Sequence, residues 1–382
     1  MSQVMTCQGI VKNFGGLVAT RTLLGVFEAG FFPASTYLLG EWYCRFEVQW
    51  RLSIFFSAAS LAGAFSGLLA FALDKMDGLG DLEGWRWIFI IEGIVTVVVG
   101  ASVPWTLPDS PATASFLSQS QKELIISRLE QDSGTEAGRV ETGESFQWSS
   151  IKSAMLDWRI WFTIFIYWGN TIPLYGFTYT VPTIINELGY TSAQAQLLTI
   201  PIYTAGAIST MALSRLSDRL KTRWPFIVFP YTLALCGFIG LMAIPHPALP
   251  GLTYGLLFAV PSGVYPGVLS LIAWISNNTA PTWKRAVGMA MMITLGNIGG
   301  IVGSNIYYSR EAPHYWSGYG TSLSFLCAAI TATFILRWSY NKSNKERDAM
   351  SEDEIRQKYT EREFLLQRSV PSCIRTSIGE WR

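Results

Sequence analysis

Nine apolar stretches, each close to the roughly 20 residues that a helix needs to cross a bilayer, run through this chain. They lie at 17–40, 52–73, 85–107, 160–185, 194–214, 224–245, 251–276, 286–308 and 319–338. Composition agrees. Of 382 residues, 50% are hydrophobic and only 14% are charged, against about 25% charged in a typical soluble domain. The 34 glycines and 15 tryptophans also fit a bilayer. Gly is commoner in membrane helices than in soluble ones, and Trp favours the interface. The expected fold class is an all-α membrane protein. A tenth apolar segment, residues 1–11, is too short to span and reads as the second half of a helix.

The segments between the stretches alternate in basic content. Arg45 and Arg51 follow the first, and Lys122, Arg128, Lys152 and Arg159 mark the long segment 108–159. Arg215, Arg219, Lys221 and Arg223 follow the fifth, and Lys284 and Arg285 follow the seventh. The intervening gaps are poor in Lys and Arg or outweighed by Asp and Glu. The positive-inside rule assigns the basic segments and the charged C-terminal tail to the cytoplasm. Within 108–159, QKELIISRLEQ (121–131) reads as a short amphipathic surface helix and GTEAGRVETGES (134–145) as disordered.

Several function classes fall away. A net charge of +1 creates no field to attract nucleic acid. Five scattered cysteines and two histidines do not make a zinc site. No HExxH, GxSxG or Walker-type loop occurs, so the chain is not read as an enzyme. No bound cofactor or metal is expected, and with no histidine in the spans a carboxylate is the expected carrier if protons are the coupling ion.

What remains is the charge inside the membrane. Arg21 and Glu28 lie in the first stretch and Glu92 in the third. Such groups cost about 2.5–3.5 kcal/mol at bilayer depth and by default mark a pathway. Arg21 and Glu28 are seven residues apart, so they share one helix face at about 10 Å. That spacing suits an anion at Arg21 and a proton at Glu28. The competing structural role is to tie this helix to its neighbours. Glu92 is a further candidate for proton coupling. Pro33 is expected to bend the helix below. In YWGNTIPLYGFTYTVP (167–182), Asn170, Tyr175 and Tyr179 lie on a helix expected to be broken at Pro173 and Gly176, an arrangement that builds binding sites in membrane proteins. Trp274 and Asn297 complete the candidate substrate contacts.

RTLLGVFEAGFFP (21–33), GWRWIFIIEG (84–93), LPDSPATASFL (107–117), LSRLSDRLKTR (213–223) and WISNNTAPTWKRA (274–286) together resemble the major facilitator superfamily. More narrowly, they resemble its fungal anion:cation symporters, which include allantoate, nicotinate, biotin and pantothenate permeases. The resemblance covers about residues 9–345. It implies two six-helix bundles, alternating access and proton-coupled symport of a small organic anion. It also implies that Arg21 and Glu28 stand at the substrate and coupling positions, and that Arg215, Asp218 and Arg219 belong to a cytoplasmic gating motif. Ser214 departs from the glycine often found in that motif.

On that pattern helices 1, 2 and part of 3 are missing. Residues 1–107 are the rest of an N-terminal bundle, 108–159 a central linker, 160–340 the C-terminal bundle and 341–382 a cytoplasmic tail. The expected protein is a multi-pass, monomeric plasma-membrane protein whose partners are a small organic anion and the lipid bilayer. A non-transporting membrane sensor, or a nonfunctional transporter fragment, shares these features.

Overall fold

The computed structural model describes residues 2–44, 47–133, 148–244, 249–279 and 282–349. The stretch 134–145 and most of the tail lie outside the described residues. The chain forms two compact units, one of residues 1–44 with 62–129 and the other of 45–61 with 130–382. Among the described residues the regular structure is helical.

The first unit contains α1 (Ser2–Gln8), α2 (Phe14–Glu28), α3 (Phe31–Trp42), the second half of α4 (Val48–Asp74), α5 (Gly84–Thr106) and most of α6 (Gln119–Ser133). The α6 helix covers the segment expected to form an amphipathic surface helix. Asn13 opens α2 by accepting the Gly16 N–H at 2.7 Å, an N-cap bond. The apolar stretch at 17–40 is divided between α2 and α3 at Ala29 and Gly30. Pro33 has no N–H to bond the Ala29 carbonyl four residues earlier, so the interruption lies one turn before the proline. Glycine lets α1 lie directly on α5. A Cβ at Gly93 would come within 2.7 Å of the Thr6 backbone nitrogen. The α2 helix buries none of its residues, and Val26, Phe27 and Phe31 are exposed, as suits helices whose outer solvent is lipid.

The second unit contains the first half of α4, then α7 (Trp148–Met155), α8 (Trp158–Glu187), α9 (Ser192–Leu220), α10 (Pro225–Ala243), α11 (Pro250–Leu257), α12 (Ala259–Asn278), α13 (Thr282–Asn297), α14 (Gly299–Gly303) and α15 (Trp316–Asp348). The α8 helix packs against α9, α12, α13, α14 and α15. Ile166, Ile172, Phe177, Val181 and Ile185 place its apolar side in the core.

The α8 helix runs unbroken through Pro173 and Gly176, which corrects the expected break there. Both residues are buried, and neighbouring helices in a membrane protein compensate for the backbone bond that proline removes. The interruptions fall elsewhere. The stretch at 251–276 breaks between α11 and α12, where Pro261 cannot donate to the Leu257 carbonyl. The stretch at 286–308 breaks after Asn297, where the indole N–H of Trp168 takes the Leu295 carbonyl at 2.8 Å.

Six helices or helix pairs among the described residues are long and apolar enough to cross a membrane: α5, α9, α10, α11–α12, α13–α14 and α15. The other expected spans coincide in position with α2–α3, α4 and α8.

Candidate functional site

In the first unit, Arg21 lies on the exposed side of α2 but is held at one edge. Assigning the buried Gln8 amide of α1 from its hydrogen-bond partners turns its oxygen to Arg21, where it accepts from Nε at 2.6 Å and Nη2 at 3.0 Å. The guanidinium carbon lies 5.3 Å from the centre of the Phe89 ring on α5, a cation–π distance. The guanidinium has five N–H donors in a fixed fork. Gln8 engages the Nε edge, and Nη1 points away from it. That leaves a rigid cation able to receive an anionic ligand.

Gln8 is itself placed by the α1–α5 contact and by Arg86. That side chain donates through Nη1 to the Val11 carbonyl at 2.5 Å and the Gly9 carbonyl at 3.3 Å, gathering carbonyls at and just beyond the end of α1. Glu28 is exposed at the C-terminal end of α2, two turns from Arg21. Glu92 is half-buried on α5, three residues after Phe89. Gln8 and Phe89 were not singled out in the sequence. Nothing local marks them, since each acquires its role from a helix it is not part of.

In the second unit, the expected gating residues stand at the end of α9. Asp218 is buried. Its Oδ2 accepts the backbone N–H of Trp50 at 2.7 Å, and its Oδ1 receives Arg223 Nη1 at 2.6 Å. Trp50 is in the first turn of α4, where backbone N–H groups have no partner within the helix and the helix dipole favours an anion.

Lys221 ends α9 in the left-handed conformation (φ 51°, ψ 28°), and this turn brings Arg223 back to Asp218. Arg223 also donates to Ser217 Oγ at 3.0 Å and to Gln49 Oε1. Gln49 Nε2 donates in turn to Ser270 Oγ on α12 at 2.9 Å. Burial pulls the Arg223 pKa down, and the Asp218 carboxylate opposes that shift. Arg215 lies over the Trp50 ring at 5.1 Å, and Arg219 is exposed. Ser217 and Arg223 lie within the quoted motif, whereas Gln49, Trp50 and Ser270 are partners that it did not reveal. They explain why residues 45–61 group with the second unit.

The remaining candidates divide. Asn170 is buried on α8, and its Oδ1 has no hydrogen-bond partner among the described residues. Asn297 donates to the Ile293 carbonyl at 2.9 Å and lies within hydrogen-bonding reach of Tyr167. Tyr175 and Tyr179 stack on each other along α8 with ring centroids 6.3 Å apart. Trp274 is placed apart from these. Its indole is buried edge-on against Tyr340 at 5.6 Å, at an end of the unit where Arg159 covers the same tyrosine at 5.1 Å and Lys284 pairs with Asp157 at 2.6 Å.

The Major Facilitator Superfamily sequence pattern matches residues 2–304. The chain belongs to this superfamily. An uncharacterized transporter of Schizosaccharomyces pombe is 35% identical over 350 residues, covering 91% of this chain and 68% of that protein. The high-affinity nicotinic acid transporter of Saccharomyces cerevisiae is 29% identical, covering 92% of this chain and 65% of its own. Among solved structures, an inward-facing, unoccupied bacterial homolog of the human lysosomal transporter Spinster aligns with a TM-score of 0.55 at 14% identity. That alignment covers 88% of this chain and 78% of the other, and it shows the shared fold. As a Major Facilitator Superfamily transporter, the chain is an integral multi-pass membrane protein that handles a small-molecule substrate and is not an enzyme.

Proposed function

We propose that this transporter carries a small organic anion across the plasma membrane in symport with protons. Arg21 meets the anion, Glu28 carries the coupled proton, and Glu92 assists. The observation that carries this reading is the Arg21 guanidinium. It is fixed by Gln8 and Phe89 on a helix that buries none of its residues. A purely structural arginine at bilayer depth satisfies its donors inside the protein, because unsatisfied charge there is costly.

The relative named as a nicotinic acid transporter supports a carboxylate as the anion. Asp218 and Arg215 engage Trp50 at the start of α4, and with Arg219 they act as the gate that favours one conformation of an alternating-access cycle. The C-terminus faces the cytoplasm, in keeping with the alternation of basic segments, and the working form is a monomer.

Uptake of labelled nicotinate and other carboxylates into proteoliposomes, at acid and neutral external pH, tests this. Uptake should rise with external acidity, disappear in Arg21→Ala, and lose its pH response in Glu28→Gln. Acid-stimulated uptake unchanged in Glu28→Gln removes Glu28 from the coupling role. No uptake above empty vesicles in the unaltered chain overturns the transport reading.

A further inference from the structure

We infer that Gln49 is a positioning residue of the gate: its side-chain amide fastens α4 to both α9 and α12, and α4 comes away from them when that junction breaks. This rests on the gating reading of Asp218 above and extends it to a neutral side chain outside the charged motif.

The amide is used from both sides. Its Oε1 accepts from Arg223 Nη1, the same nitrogen that donates to Asp218, and its Nε2 donates to Ser270 Oγ on α12 at 2.9 Å. A guanidinium has donors and no acceptor, so the atom of Gln49 that faces Arg223 is the oxygen, and the amino group is left for Ser270. Ser217 completes the α9 side. It accepts from Arg223 Nη1 at 3.0 Å and donates to the Thr222 carbonyl at 2.8 Å. Gln49, Ser217 and Ser270 are all buried. Water cannot replace a lost partner in such a place, so removing one member strands the others.

The three helices are not held alike. The α9 and α12 helices pack on each other, and glycine brings them close. A Cβ at Gly206 would lie 2.9 Å from the Tyr265 ring. Among the described residues, α4 forms no comparable close-packed pair with either helix. Its first half is fastened through side chains instead. They are the Gln49 amide, the Asp218 carboxylate on the Trp50 N–H at 2.7 Å, and an edge contact between Phe56 and Tyr265 at 6.3 Å. A helix fastened at one end by a buried amide detaches when that amide lets go, while the close-packed pair beside it stays together.

The test is labelling of the full chain in nanodiscs with N-ethylmaleimide, read peptide by peptide in a mass spectrometer. Ser53→Cys reports on α4, since Ser53 is buried and its hydroxyl bonds the Trp50 carbonyl of its own helix. Thr333→Cys, buried on α15, reports general loosening. Gln49→Leu should raise labelling of the Ser53→Cys thiol about tenfold, the effect of losing one hydrogen bond to a charged group, and leave the Thr333→Cys thiol unchanged. Ser270→Ala should raise it less, and Ser270→Thr, which keeps the hydroxyl, should not raise it. Adding Ser270→Ala to Gln49→Leu should add nothing, because the two share one bond. Each variant is checked for a monodisperse elution profile, and if Gln49→Leu does not fold, the two Ser270 variants decide. No rise at the Ser53→Cys thiol, or an equal rise at both thiols, overturns the role of Gln49. Asp218→Asn separates the two readings. A rise in Asp218→Asn with none in Gln49→Leu keeps the gate and removes Gln49 from it. A rise in Gln49→Leu alone keeps Gln49 and removes Asp218. No rise in either overturns both.

Discussion

The carboxylate of Asp218 accepts the backbone N–H of Trp50 at 2.7 Å, although the two residues lie 168 positions apart. One side chain therefore caps a helix that belongs to a distant part of the sequence, while its other oxygen neutralises the buried Arg223. The same group serves as a helix cap and as half of an ion pair.

Asp218→Ala should destabilise the fold by about 3–5 kcal/mol, because it strands the Arg223 cation in the interior and uncaps α4. Asp218→Asn keeps an acceptor for Trp50 and should lose less. Thermal midpoints of the purified chain decide between them. Equal midpoints for Asp218→Ala and the unaltered protein would show that the ion pair contributes nothing net.

Gln8→Leu should release the Nε edge of Arg21 without removing its charge. Anion uptake should then weaken through a raised KM, with a smaller change in maximal rate, since the cation is present but no longer oriented. A defect about 1.5–3 kcal/mol in size would match the loss of a hydrogen bond to a charged group. Concentration-dependent uptake in proteoliposomes supplies the reading. An unaltered KM separates Gln8 from the site.

Gly93→Val should force α1 away from α5, since the space a Cβ needs is filled by Thr6. Overpacking of this kind costs about 1–3 kcal/mol. Gly93→Ala should show a smaller loss in the same thermal assay. Because Gln8 reaches Arg21 only while α1 stays in place, both variants should also reduce anion uptake.

Glu311 provides a pH reading outside the membrane spans. The Ser317 hydroxyl at 2.6 Å and its backbone N–H at 2.8 Å hold the carboxyl below its usual range, with Arg310 adding a smaller pull. A depressed folded-state pKa means that the stabilisation is present above the ordinary carboxylate value of about 4.3 and is lost as pH falls through the lower folded value. Ser317→Ala should therefore lower the thermal midpoint at neutral pH, and the difference should shrink in acid. A difference that stays constant with pH assigns the effect to something other than Glu311.

Much of this was legible along the chain. The apolar stretches coincide with helices, and the segment 121–131 lies in α6. Asp218 stands in the last turn of α9. Helix breaks were harder to read. Proline in α8 leaves the helix intact because surrounding helices shield it, whereas α13 stops after Asn297 with no proline at all. Whether a backbone irregularity survives depends on what packs beside it, which no local pattern encodes. The same holds for Trp274, whose surroundings are Tyr340 and a basic end of the unit rather than the tyrosines of α8.

The amino-acid sequence by itself determined that this chain lies in a membrane, where its helices run, and which few charges they carry. Apolar length and charge are properties of contiguous residues, and the bilayer reads them segment by segment. Only the tertiary structure decided that Gln8 and Phe89 hold Arg21 and that Arg223 and Trp50 share Asp218. Those partners come from separate helices, and a hydrogen bond or ring contact forms only after packing has brought them within a few ångströms.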